Sequence, residues 1–504
     1  MKRLSDLLQG LECETSGDVQ QEITGIACDS RKVQPGNLFV AIDGFSVSGT
    51  EFIDTAISRG ARAVLSSRLL DARGVVRIAA RNPRRVMALI ANRFWDDPSR
   101  AVKLIGITGT NGKTTTAWVI RTILEVAGER SGMIGTIRHF DGQEWTKAVN
   151  TTPESTDIVQ MLARMRNLGI GHCVAEVSSH ALALERVAGL SFKVGVFTNL
   201  TQDHLDFHKT MEEYKQAKLS FFRMLGAQSW AVFNRDDPVG AEFAAATSAQ
   251  KLAYGLENPG AGGQGTGFGG QRSDIRVSNL KMTDKLTTFE LALPDASVSI
   301  SSPLVGKHNV YNLTAAAAVA WCLGIPGPVI RDGIRRQKAV EGRLERVENK
   351  AGLTVFVDYA HSPDALKNLI TTARTLLGRP ADLSQAQERK VIVVIGCGGN
   401  RDKGKRPLMG RIASELADRV FITSDNPRDE DPEAIVDEIV AGAQRENFEV
   451  HVNRYDAIKR ALFVASRGDI VLIAGKGHED YQIIGKERRH FDDRETVVAV
   501  LGKA

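Results

Sequence analysis

The segment richest in chemistry is GITGTNGKTTT, Gly106–Thr116. A run of apolar and β-branched residues (VKLIGIT) enters a glycine-rich turn, and TTTAWVIRTIL continues it with helical spacing. Successive backbone N–H groups and the positive end of a helix can cradle phosphate oxygens at such a turn. Lys113 adds a point charge for the β- and γ-phosphates, and the Thr114 hydroxyl is suited to ligate Mg2+. Five residues separate Gly106 from Gly112, one more than in the common phosphate loop. The candidate ATP contacts are Gly109, Thr110, Asn111, Gly112, Lys113, Thr114 and Thr115. They predict nucleotide binding and leave the reaction open.

Such a turn needs a sheet to hold it. CVAEVSS, KVGVFTNL and SWAVFNRDD each end in polar residues, as strands of an open parallel sheet do at the edge where ligands collect. A second set, TVFVDYA, KVIVVIGCGG, RVFITSDNP and DIVLIAGKG, repeats the pattern further along. Breaks fall near DDPSR (96–100) and near Glu341. The expected architecture is α/β with three domains: a small α/β unit over 1–100, a central phosphate-loop unit with a mostly parallel sheet over 101–340, and a Rossmann-like unit over 341–504. The Gly-rich stretch 258–273 reads as a surface loop.

Composition bounds the rest. The chain has 504 residues, 42% hydrophobic and 25% charged, which excludes general disorder, collagen and a disulfide-stapled miniature. Lys plus Arg exceed Asp plus Glu by 65 − 60 = 5, too dilute an excess to argue for nucleic acid. The compact basic run Arg401–Arg406 lacks interleaved aromatics, so no nucleic-acid partner is expected. Five cysteines without a CxxC pair suit a reducing cytoplasm. The apolar stretch Leu313–Ile330 is broken by Gly324, Pro326, Gly327 and Pro328, and reads as a buried Ala-rich helix and a turn, not a membrane span.

TGTNGKTTT together with EVSSHALALERV (Glu176–Val187), TNLTQDHLDFH (Thr198–His208) and YKQAK (Tyr214–Lys218) resembles the Mur ligase family of peptidoglycan synthesis. DSRKVQPGNLFVAIDG (Asp29–Gly44), NTTP (Asn150–Pro153), GKHNVYN (Gly306–Asn312), EGRLERV, DYAHSPD (Asp358–Asp364), GCGGNRDKGKRP, DNPR (Asp425–Arg428) and GKGHE (Gly475–Glu479) extend the match almost to the C-terminus. NTTP is similar to the branch that adds the third peptide residue. The resemblance implies a UDP-binding N-terminal domain, a central ATPase and a C-terminal amino-acid-binding domain. It implies an ATP-dependent ligase that phosphorylates the D-Glu side-chain carboxylate of UDP-N-acetylmuramoyl-L-alanyl-D-glutamate and lets an amine attack the acyl phosphate. A monomer is expected.

The resemblance also assigns roles. Glu176 shares a first Mg2+ with Thr114. His204 and Lys218 serve a second, Lys218 as a CO2-derived carbamate that turns an ammonium into a carboxylate-like ligand. Lys113, His204 and Lys218 form the catalytic set. Asn309, Arg343, Asp358 and His361 match further ATP contacts, and each also has an ordinary capping or turn reading. Ser30, Asn150, Thr151, Thr152, Ser178 and Arg186 match contacts to the UDP substrate. Leu184 and Glu185 depart from the polar or basic residues frequent there. His208, four residues after His204, suggests zinc by spacing alone, but the glutamate of an HEXXH motif is absent.

For the incoming amine, the resemblance of Asp425-Asn426-Pro427-Arg428 to the diaminopimelate-adding members of that family implies meso-2,6-diaminopimelate. meso-2,6-Diaminopimelate carries a second carboxylate that L-lysine lacks, and Arg428 offers a planar fork to bind it. Arg401 is a second carboxylate partner, Gly475 and Glu479 face the distal ammonium, and Asp425 and Asn426 shape the pocket. The alternatives are an L-lysine-adding ligase, the dipeptide-adding branch, folylpolyglutamate synthase, and a non-catalytic ATP-binding switch or scaffold.

Overall fold

The computed structural model describes residues 1–44, 47–72, 74–257, 274–283, 285–378 and 389–502. The expected loop at 258–273 lies outside them. Among the described residues three large sheets follow one another along the chain, beside two two-stranded pairs, Lys2–Arg3 with Glu22–Ile23 and Tyr481–Ile484 with Glu487–His490. The first has five strands, in the order Glu14–Ser16, Val76–Ala79, Ala63–Ser66, Asn37–Val40, Gly25–Ala27, and all its pairs are parallel except the outer one at Glu14–Ser16.

The second sheet has eleven strands. Its parallel centre runs Ser131–Ile134, His172–Glu176, Lys103–Thr108, Phe192–Phe197, Trp230–Asn234, Gln250–Leu256, Asp274–Met282. Antiparallel strands extend both edges: Thr287–Ala292 and Ser297–Ser302 on one side, Arg138–Phe140 and Trp145–Lys147 on the other. Central strands are buried on both faces, hence the apolar runs Leu104–Ile107 and Val194–Phe197 within them. The last parallel strand, Asp274–Met282, instead begins by alternating buried and half-exposed positions, as a strand covered on one side does. The Ala-rich segment forms the helix Lys307–Cys322, with Ala315 to Ala320 fully packed against the helix Lys113–Val126. Small side chains allow that close approach.

The third sheet runs Glu345–Arg346, Thr354–Asp358, Ile470–Ala474, Val391–Cys397, Arg419–Ser424, Phe448–Val450, parallel apart from its first pair. Val391–Cys397 is buried at every position. Among the described residues no helix is long and apolar enough to cross a membrane.

Candidate active site

The phosphate turn leaves the strand Lys103–Thr108 at the carboxyl edge of the parallel sheet. Gly106 is required inside that strand, because a Cβ there would meet the rings of Phe221 and Phe192 at 2.4 and 2.7 Å. Gly112 has φ +86°, and a Cβ would reach Asn312 Oδ1 at 2.3 Å. Asn199 pins the turn from the neighbouring strand end: its carbonyl accepts from Thr110 N at 2.8 Å and its Oδ1 from Asn111 N at 2.9 Å. The helix Lys113–Val126 starts on Gly112, with no side chain capping it. Its first-turn N–H groups therefore remain available to an anion.

Two buried cations converge on this turn. Lys113 Nζ donates to the carbonyls of Gly109 and Thr110 at 2.9 and 2.8 Å. Lys218, 1% exposed, donates to the same Gly109 carbonyl at 2.8 Å and stacks over the Tyr214 ring at 4.4 Å. Lys218 is carried by the helix Met211–Arg223, whose N-terminus Thr210 caps by accepting from Glu213 N at 3.1 Å. Burial, then the Lys113 charge, pulls Lys218 well below the ordinary lysine pKa. Burial also lowers Lys113, against the opposing field of Glu176.

Glu176 ends the strand beside the phosphate strand and is fully buried. Its Oε2 accepts from Thr114 Oγ1 at 2.9 Å and Thr136 Oγ1 at 2.8 Å, and its Oε1 from Thr136 N at 2.9 Å. Arg343, which belongs to the third sheet's side of the cleft, donates from Nη2 to Thr114 Oγ1 at 3.1 Å and lies over the Tyr359 ring at 4.7 Å. Asp358 ends the strand Thr354–Asp358 and accepts from Leu344 N at 2.6 Å; burial raises its carboxyl. A cleft of about 520 Å3 joins these groups and is lined by both α/β units, a size suited to a small-molecule ligand.

His204 and His361 flank Asp203, a residue the sequence reading did not select. Its Oδ2 lies 3.5 Å from His204 Nε2 and 3.9 Å from His361 Nε2. Burial raises the Asp203 carboxyl, but His204, His361 and Lys405 outweigh it and hold it below the usual carboxylate range. Burial pushes the His204 imidazole down. Asn309 lines the cleft with its amide engaged: Nδ2 donates to Val305 O at 2.8 Å, and Oδ1 accepts from Asn312 at 3.1 Å. His208 sits apart from the phosphate turn, against His180 and Tyr214.

The expected metal donors can be tested as a set. Thr114 and Glu176 present hydroxyl and carboxylate oxygens 2.9 Å apart, which suits a hard divalent cation. His204 and Lys218 present an imidazole and a depressed-pKa amine, and that pair lacks an anionic donor unless the amine is modified. Among the described residues no three His, Cys, Asp or Glu gather as a metal cluster.

Around the NTTP segment, Thr152 Oγ1 donates to Glu176 O at 2.7 Å and accepts from Ser178 N at 3.1 Å. Arg186 donates to Thr152 O at 3.0 Å and pairs with Glu154 at 2.8 Å. Thr151 reaches Thr136 at 3.1 Å. Thr151 and Ser178 thus line the cleft, Thr152 and Arg186 are bonded to that wall, and Asn150 is exposed. Ser30 stands in a short turn of the first unit, buried behind Asp29, whose carboxylate accepts from Arg31 N at 2.9 Å.

The diaminopimelate candidates gather elsewhere, at the ends of the third sheet's strands. Asn426 Nδ2 donates to Glu479 Oε2 at 2.8 Å. Lys476, a second residue the sequence reading passed over, lies among Asp425, Asn426 and Glu479. Gly475, at φ +118°, would place a Cβ 2.9 Å from Asp425 Oδ2. Arg428 has φ +54° and donates from Nη1 to Gly399 O at 2.8 Å. Arg401 is exposed and donates to Asn400 O at 3.0 Å. The two sites share a wall: the His478 ring lies 5.0 Å from Tyr359, next to Asp358.

A glycine turn at a parallel strand end, a buried Thr–Glu pair and an arginine delivered by a second α/β unit define a phosphate-loop nucleotide-binding protein whose cleft is completed between domains. Comparison with known proteins narrows this. The chain matches the models of the Mur ligase family catalytic domain over residues 22–95, the Mur ligase middle domain over 107–320 and the Mur ligase glutamate ligase domain over 342–477. It is 44% identical over 486 residues to the UDP-N-acetylmuramoyl-L-alanyl-D-glutamate–2,6-diaminopimelate ligase of Bacillus licheniformis, covering 95% of each chain. It is 40% identical over 508 residues to the enzyme of that name from Clostridioides difficile, covering 99% and 100%. A solved structure of a ligase of the same name aligns with TM-score 0.67 at 29% identity, over 99% of this chain and 98% of that one. The MurF ligase of Thermotoga maritima in complex with ADP shares the fold, with TM-score 0.61 at 18% identity over 97% and 98%. The chain belongs to the Mur ligase family, and the α/β three-domain architecture expected from its sequence is that family's.

Proposed function

We propose that the protein joins meso-2,6-diaminopimelate to the D-Glu side-chain carboxylate of UDP-N-acetylmuramoyl-L-alanyl-D-glutamate in peptidoglycan synthesis, with ATP as phosphoryl donor and an acyl phosphate as intermediate. The observation that carries the reading is the Thr114 hydroxyl, which bonds Glu176 on one sheet and Arg343 from the other unit. That contact supports a single set of charges over the nucleotide and the carboxylate that accepts its phosphoryl group. Full-length relatives at 40% and 44% identity that carry the diaminopimelate ligase name support the choice of substrates.

The chemical problem is to bring a carboxylate against a triphosphate. Lys113, the free amides of the helix start and Arg343 bind and orient the phosphates and offset their repulsion. Thr114 and Glu176 would hold one Mg2+, and His204 with Lys218, once carbamylated, a second; the ions supply Lewis-acid charge to the phosphoryl oxygens. Carbamylation needs a neutral amine, and burial of Lys218 favours that form. Asp203 orients His204 and His361 across the cleft. Asn309, Asp358 and His361 contact the nucleotide, while Ser30, Thr151, Thr152, Ser178 and Arg186 guide the UDP substrate. Arg428 and Arg401 take the distal carboxylate of diaminopimelate. The division of the chain at 100 and 340, a cytoplasmic location and a monomeric state belong to the same proposal.

An amine panel tests it. With Mg2+, ATP and the UDP-muramoyl dipeptide, ADP release should depend on diaminopimelate and match tripeptide formed. Equal turnover with L-lysine would favour the lysine-adding alternative, and ADP release without any amine product would leave only a nucleotide switch.

A further inference from the structure

The third sheet ends in a turn that drives a lysine inward. Lys476 is wholly buried, between Gly475 and Gly477. Both glycines have positive φ, +118° and +53°, and a Cβ on Gly477 would strike Tyr359 Cβ at 2.7 Å. The backbone can thread there only without side chains, and the result is an ammonium set among three acceptors. Nζ lies 3.3 Å from Asp425 Oδ1, 3.2 Å from Asn426 Oδ1 and 3.4 Å from Glu479 Oε2. Three donors meet three acceptors. Asn426 is held from both ends, since Oδ1 also accepts from Ile483 N at 2.9 Å while Nδ2 donates to Glu479. The Glu479 bonds all use Oε2, which leaves Oε1 for a ligand.

We propose that Lys476 is a positioning residue of the amino-acid subsite, holding Asn426 and Glu479 in place and leaving the cluster one net negative charge to receive a single substrate ammonium. The inference rests on the proposed function. Two carboxylates and one ammonium sum to that charge, and the Arg428 fork stands beside them for the carboxylate of the same stereocentre. A buried ion pair with only a structural role would be indifferent to which substrate is varied.

The groups facing Glu479 are Asp425, Lys476, Arg428, Arg454, Tyr359 and Tyr481. Burial and the Asp425 charge raise the Glu479 carboxyl, and Lys476 opposes them. Removing the ammonium takes away the charge that opposes this rise, so in its absence binding of the amino acid should improve as pH rises.

The experiment is steady-state kinetics of Lys476→Met, Glu479→Gln and the double variant, each substrate varied in turn. Lys476→Met should raise the diaminopimelate KM about tenfold or more, as loss of a charged contact does. KM for ATP and for the UDP substrate should stay nearly as in the wild type. The amino-acid KM of Lys476→Met should fall with rising pH. In the Glu479→Gln background the lysine change should cost less than in the wild type, because one of the two groups it holds in place is gone. If Lys476→Met is insoluble, Lys476→Gln, which keeps an N–H donor for the cluster, and the double variant, which carries one uncompensated charge fewer, make the same comparison. An unchanged amino-acid KM, a parallel rise of all three KM values, or full additivity in the double variant would overturn the inference. A wild type that consumes no amine would overturn the proposed function itself, whereas normal wild-type turnover beside an unaltered Lys476 variant would remove this inference alone.

Discussion

The phosphate cleft and the Asp425 cluster both bury lysines, and they satisfy them in opposite ways. At the cleft Lys113 and Lys218 donate to backbone carbonyls of the turn itself. At the cluster Lys476 is paired with two carboxylates and an amide. A carbonyl dipole compensates a buried ammonium poorly, and a carboxylate does so well. The first region therefore leaves the Lys113 charge, with Arg343 beside it, for a polyanion. The second is close to balanced and suits a zwitterion, with Arg428 and Glu479 left to divide its two signs. Both arrangements sit at the carboxyl ends of parallel strands, so the difference comes from the turn residues and not from the sheets.

The comparison breaks most sharply at Lys113. Lys113→Ala removes a cation that only a ligand can fully neutralise, and kcat should fall about 100- to 1,000-fold, as for loss of a transition-state donor. Single-turnover ADP formation measures it, and the folded protein should keep its melting temperature. Arg428→Ala comes next. It should raise the diaminopimelate KM roughly 10- to 150-fold with little change for the UDP substrate, the range set by one charge-assisted hydrogen-bond pair. Discrimination against L-lysine should shrink with it.

Glu341 lies where the two regions meet. It pairs with Arg138 of the central sheet at 2.6 Å and with Arg494 of the last helix at 3.0 Å. Glu341→Gln should lower kcat about two- to tenfold while ATP affinity holds, because half-exposed pairs are weak but set how the domains meet. Small-angle scattering with and without ligands reports that geometry. The smallest effect concerns stability. Arg406 is fully buried and takes two bonds of 3.0 Å to Glu430. Those bonds hold the Glu430 carboxyl down at about 2, from an ordinary 4.5. A depressed carboxyl stabilises the fold above pH 4.5 and loses that contribution as pH falls towards 2. Glu430→Gln should melt a few degrees lower at neutral pH, and its gap from the wild type should close through that acid window.

Local pattern made the cleft's first half legible. The strand, the glycine turn and the helix are contiguous, so Lys113 and Thr114 announce themselves, and Glu176 stands at the end of a recognisable strand. Asp203 did not, although it precedes His204 directly. Its importance lies in His361, 158 residues later by numbering, and only the docking of the third sheet brings the two within 3.9 Å. Lys476 was hidden for a related reason. In GKGHE it reads as a surface turn lysine, and its burial depends on the close passage of Tyr359 and Asp425. Asn199 likewise looks like a strand-end residue until its amide is seen fastening the phosphate turn. The antiparallel extensions of the central sheet escaped because Thr287–Ala292 and Ser297–Ser302 alternate polar and apolar residues without the apolar runs that marked the parallel strands.

The central claim is that Lys113, Arg343 and the free amides of the phosphate turn let a substrate carboxylate attack the terminal phosphate of ATP. Oxygen-18 placed in the D-Glu side-chain carboxylate of the UDP substrate follows that bond directly. The account predicts that, with diaminopimelate present, the inorganic phosphate released carries one labelled oxygen from the substrate. Unlabelled phosphate alongside full tripeptide formation would show that no acyl phosphate forms and would contradict it.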